Sequence, residues 1–131
     1  MKWRTLAVGL LVGALSLTAC GKEGSPTGGG PVVEHEVATN VQVPGSPTFE
    51  RMQQRGTVIV GVKDDQPGLG FKDATTGEYS GFDIEIARLV AAQLGFGPDK
   101  IEYKPVPSAA REDAISRGEV DYYVGTYTTN D

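Results

Sequence analysis

The sequence predicts an α/β chain built on a parallel sheet, laid out as strand, helix, strand, helix, strand between Gly56 and Asp131. Two observations carry that prediction. First, three short apolar runs, Thr57–Val62, Ile101–Val106 and Val120–Val124, are rich in β-branched and aromatic residues and read as strands. Second, the stretches between them read as helices, each closed by a glycine, Gly95 and Gly118. Alternation of this kind implies a parallel sheet with right-handed crossovers. Such a sheet binds ligands beyond the carboxyl ends of its strands, here 63–70, 105–111 and 125–131.

At the amino terminus, Lys2 and Arg4 form a positive region, and Leu6 to Leu17 an apolar stretch too short for a comfortable membrane span. It ends in Leu17-Thr18-Ala19-Cys20, which resembles the lipobox of bacterial lipoproteins. That resemblance implies a signal peptide over 1–19, a lipidated Cys20 as the mature first residue, and a lipid-anchored, extracytoplasmic location. Cys20 is the single cysteine, so no disulfide forms within the chain. Residues 20–47 read as the lipidated cysteine and a flexible linker, because Gly, Pro, Ser and Thr dominate and little apolar surface can offset the ordering entropy. The only histidine, His35, lies there between Glu34 and Glu36. With no second His or Cys to join it, a solvated side chain is expected rather than a metal site.

The folded region is expected over 48–131. Ser46 suits a helix cap, Pro47 the first helical position and Gly56 the end of that helix. Lys72–Tyr79 reads as a surface hairpin, with Asp73 and Gly77 as turn formers. Its spacing does not match a calcium loop. The next helix runs from Asp83 to Leu94, with Ala87, Val90, Ala91 and Leu94 as its apolar stripe and Glu85 and Arg88 as an outward pair. The last helix starts near Ser108 and ends at Arg117. The formal charge of −5 argues against a nucleic-acid partner.

Three features together resemble the extracellular solute-binding proteins of the polar amino-acid class, the receptors of ABC importers. They are Arg55–Val62, Gly77–Glu85, and Gly118-Glu-Val-Asp121 running into Thr126-Tyr-Thr128. The resemblance covers about Thr48 to Asp131, and its specificity lies in the order and spacing of the three. Asp64–Phe71, with Asp65, Gln66 and Gly68, is similar to the glutamate-binding branch, as is Ser108-Ala-Ala-Arg111. It implies a two-lobed periplasmic-binding-protein fold with the first lobe begun here. It also implies an ABC permease as partner, a monomer, no cofactor and no catalysis. Measured against that family the chain is expected to be a fragment, poorly folded alone, that stops short of an arginine for the ligand's α-carboxylate.

A ligand with two carboxylates needs donors converging on both. Thr126 and Thr128 alternate with Tyr127 at a strand end, so their hydroxyls can serve one carboxylate. Arg111, read from the residues alone, is either a solvated helix arginine or a bidentate fork for the other; the resemblance favours the fork. Ser108 is equally a helix cap or a ligand contact, and Gly68 and Gly70 allow close approach of backbone N–H groups. Asp64 and Asp65 are either solvated or available to the ligand's ammonium. The rival class is an enzyme using carboxylates among Asp64, Asp65, Asp83 and Glu85, since some relatives with this lobe are dehydratases. A sensor domain is the other alternative.

Overall fold

The structure, a computed structural model, describes residues 33–129. The expected signal peptide, Cys20 and the linker up to residue 32 lie outside the described residues. Helix α1 (Pro47–Arg55) forms as its ends dictate. Ser46 Oγ accepts from Phe49 N at 3.2 Å, Pro47 opens the first turn, and the Gly56 N–H returns to the Met52 carbonyl. Phe49 and Met52 are buried and pin α1 to the sheet.

The sheet has β1 (Val58–Val62) at its centre, flanked by β5 (Ile101–Pro105) and β6 (Tyr122–Val124), both parallel to it. Val58 pairs with Ile101 and Val62 with Pro105 on one side; Val60 pairs with Tyr122 and Val62 with Val124 on the other. In chain order this is second–first–third. The crossover helices α2 (Phe82–Gln93) and α3 (Arg111–Ser116) therefore cover opposite faces. Val58, Val60 and Val62 pack with Phe49, Ile84, Ala87, Ala91 and Phe96 on the α1–α2 face. Ile59 and Tyr123 meet Val106, Ala114 and Val120 on the α3 face. The expected parallel α/β arrangement is present.

Between β1 and α2 lies a small antiparallel sheet of β2 (Asp65–Gln66), β3 (Gly70–Lys72) and β4 (Tyr79–Ser80). The expected hairpin is its β3–β4 half. Asp73 Oδ1 accepts from Thr75 N and Thr76 N at 2.7 and 2.9 Å, which turns the chain and lowers the carboxyl's pKa. The β2 strand escaped the sequence because two residues carry no periodicity.

Helix α2 starts without a side-chain cap. Loop carbonyls fill that role: Phe82 N donates to Gly68 O at 2.9 Å and Asp83 N to Leu69 O at 3.0 Å. The loop crosses so closely that a Cβ at Gly81, whose φ is +116°, would sit 2.1 Å from Leu69 O.

Four expectations need correction. Ser108 caps no helix; it opens a single 3-10 turn over Ser108–Ala110, and α3 begins at Arg111. The expected strand from Val120 starts at Tyr122, and 125–129 continue as irregular chain. Residues 33–46, assigned by composition to a free linker, lie against the body. Ala38 N donates to Ala92 O at 2.9 Å, and Val41 packs on the core cluster beside Leu94 and Phe96. The carboxyl end of α2 leaves an apolar ledge that one backbone bond and one valine suffice to hold. Glu85 and Arg88, expected to face away, are half-buried beneath this segment, although they do pair.

The third quoted motif has a structural task. The Asp121 side chain is only 3% exposed; one oxygen accepts from Ile59 N at 2.7 Å and pairs with Arg55. It ties the end of α1, the central strand and the approach to β6 together.

Candidate functional site

The carboxyl ends of β1 and β6 lie side by side where the strand order reverses, the position at which open α/β sheets bind ligands. Lys63 follows β1 directly, and its side chain is 12% exposed, with Nζ 3.2 Å from Asp65 Oδ1. Arg111 opens α3, and its side chain is 16% exposed, so it is no solvated surface arginine. Its Nη1 donates to the Thr126 carbonyl at 2.8 Å. Its guanidinium stacks on Tyr127, 3.9 Å from the ring centroid. Glu112 completes the group, 3.4 Å from Arg111 Nε and accepting from Tyr127 Oη at 2.9 Å. The Glu112 carboxyl is held below its usual range, first by its own backbone N–H and then by the Tyr127 hydroxyl.

The sequence-derived residues are thus partly assembled. Arg111, Thr126 and Gln66 form one chain of contacts, with the Gln66 amide 3.5 Å from Thr126 Oγ1. Asp65 is engaged by Lys63. Thr128 is exposed and lies beyond the strand, so the alternation expected to align it with Thr126 does not operate there. Ser108 is exposed in its 3-10 turn. Gly68 contributes its carbonyl to the α2 start.

Two residues of the site were missed by sequence reasoning. Lys63 stands one position past a strand, where the acidic pair Asp64 and Asp65 gives the stronger local signal. Tyr123 points to the α3 face, its ring so close to Gly61 that a Cβ there would come within 2.7 Å. Its hydroxyl is buried without a hydrogen-bond partner. Burial raises its pKa, while the charges of Lys63 and Arg111 pull the other way. The period-two pattern of β6, Tyr122 inward to α2 and Tyr123 outward, was the available signal. Tyr122 confirms it: its hydroxyl donates to Ala87 O at 2.8 Å.

Two cations and a phenol on one rim can hold a carboxylate. Three of the four carboxylates considered for acid–base work have other surroundings. Asp65 is on Lys63, Glu85 is on Arg88, and Asp83 is buried at the start of α2, where burial raises its pKa. No group of three or more His, Cys, Asp or Glu that could hold a metal occurs among the described residues.

Residues 58–131 match the family model of bacterial extracellular solute-binding proteins, family 3. The chain belongs to that family. It is 37% identical to a glutamine-binding protein of Geobacillus stearothermophilus over 96% of this chain and 47% of that one. It is 38% identical to the glutamate-binding protein GluB of Corynebacterium glutamicum over 66% of this chain and 30% of that one. Among solved structures, a mutant of domain 1 of TmArgBP in its arginine-bound form superposes with a TM-score of 0.55. That match covers 63% of this chain and 61% of that domain, at 22% identity, and shows the fold alone. The family 3 chain described here therefore has the fold of one lobe, and it spans about half the length of the first of these relatives or less.

Proposed function

We propose that this family 3 lobe helps to capture an acidic amino acid, glutamate first, outside the cytoplasm for delivery to an ABC permease. The observation that carries the reading is that Lys63, just past β1, and Arg111, at the start of α3, are both mostly buried and both bring their charge to bear on Tyr123. Each cation already faces one carboxylate, Lys63 on Asp65 and Arg111 beside Glu112, and keeps N–H donors that a ligand carboxylate would accept from. The names of the relatives support an amino-acid ligand and leave glutamate and glutamine both open. The engagement of Asp65 by Lys63 and of Glu85 by Arg88 supports a binding role over catalysis.

Calorimetric titration of the full-length protein with glutamate, aspartate and glutamine tests this reading. Glutamate is expected to bind about tenfold or more tighter than glutamine, since hydrogen bonds to charged groups contribute about 1.5–3 kcal/mol. Glutamine binding as tightly as glutamate would overturn the acidic assignment.

The location outside the cytoplasm rests on Leu17-Thr18-Ala19-Cys20. Cys20→Ala is expected to release the protein from the membrane fraction or leave it as an uncleaved precursor, because stable anchoring takes two acyl signals. A Cys20→Ala protein that is processed and fractionates as the parent does would remove the lipid anchor from the proposal.

A further inference from the structure

We propose that Tyr127 is a positioning residue for Arg111, holding its guanidinium in the plane from which it meets a ligand carboxylate. The proposal rests on the acidic-ligand reading above and deepens it. Tyr127 is 57% exposed, so it adds little to the core. Its contacts lead to Arg111 instead. The ring lies over the guanidinium, with Cζ 3.9 Å from the centroid. The hydroxyl donates to Glu112 Oε1 at 2.9 Å, and that same oxygen stands 3.4 Å from Arg111 Nε. One residue earlier, the Thr126 carbonyl accepts from Nη1 at 2.8 Å. The face of the guanidinium, its Nε and its Nη1 are thus each held by a different group.

The bond that anchors the ring joins a carboxylate to an intact phenol. It raises the Tyr127 pKa, while the Glu112 carboxyl is lowered, first by its own backbone N–H and then by this hydroxyl. The ring supplies what the other links cannot. Bonds at Nε and Nη1 alone leave the guanidinium free to rock about the line through those two nitrogens, and a ring against its face removes that motion. Both N–H groups of Nη2 and the second of Nη1 are then left, in a fixed plane, for a carboxylate to accept from. Among the described residues Nη2 makes no hydrogen bond. An arginine fixed before the ligand arrives avoids the cost of ordering a long side chain on binding.

The test is calorimetric titration of the full-length protein with glutamate and glutamine. The variants are Tyr127→Ala, Tyr127→Phe, Arg111→Ala and the Arg111→Ala, Tyr127→Ala double substitution. Residue 127 lies outside every helix and strand, so its replacement leaves the fold in place. Tyr127→Ala is expected to weaken glutamate about five- to tenfold and glutamine by less than about twofold, narrowing the preference. Tyr127→Phe keeps the ring and loses only the tie to Glu112, so a loss of about twofold is expected. With Arg111 already replaced, Tyr127→Ala should change glutamate binding by less than about twofold, because no guanidinium is left to place. Where Arg111→Ala alone weakens glutamate, four results would overturn the proposal: no effect of Tyr127→Ala, equal losses for both ligands, a Tyr127→Phe loss as large as that of Tyr127→Ala, or an undiminished loss in the double variant. If Arg111→Ala itself leaves glutamate binding unchanged, the acidic-ligand reading falls, and this proposal falls with it.

Discussion

Arg111→Ala should weaken glutamate binding by the full-length protein between about thirtyfold and a few thousandfold. Truncating one partner of a buried, hydrogen-bonded charge pair costs about 2–5 kcal/mol, and about 1.4 kcal/mol is tenfold. The structure adds a second reason. Arg111 also holds the Thr126 carbonyl and the face of Tyr127, so the same guanidinium positions the chain after β6. The two roles separate by ligand. Charge reading predicts that glutamine loses much less than glutamate, narrowing the preference. Equal losses would mean that Arg111 acts through the 125–128 segment and reads no carboxylate. Arg111→Lys should recover only part of the loss, because an ammonium cannot bond the carbonyl, stack on the ring and present a planar fork together.

Gly81→Ala should be the most damaging single methyl in the lobe. Two penalties coincide there: a φ of +116° that an alanine rarely adopts, and a Cβ placed 2.1 Å from Leu69 O. Relief would require lifting the loop from α2 and giving up the bonds from Phe82 N and Asp83 N. A cost of about 3 kcal/mol or more is expected, read as a drop in the denaturation midpoint. Gly56→Ala is the control, since φ is +76° there but nothing lies within 4 Å of the added carbon. It should cost only about 1 kcal/mol. Equal effects at the two positions would show that the loop crossing contributes nothing beyond backbone strain.

The parallel sheet was legible because its strands are short apolar runs and its helices end in glycines, signals local enough to read without neighbours. The same locality explains the misses. Ser108 has a cap-forming side chain, yet the chain enters α3 through a 3-10 turn that takes its hydroxyl out of reach of the helix amides. Tyr123 becomes part of the site only because β6 lies beside Gly61 of β1, a pairing between positions far apart in the chain. Asp121 gains its structural role only because α1 brings Arg55 to it. The seating of residues 33–46 was hidden for a related reason: their own composition is that of a linker, and the ledge that holds them belongs to α2.

That seated segment also sets a distance. Measured from Cys20, the point where the chain is proposed to enter the lipid, the folded body was expected to begin near Pro47, 27 residues on. A chain that long reaches at most about 90 Å when fully drawn out. With the segment seated, the body begins at Val33, only 13 residues from Cys20, and the limit falls to about 45 Å. Half the leash is stowed along α2. On the proposed reading, a receptor held that close would search a smaller shell above the membrane and meet a permease in the same bilayer more often.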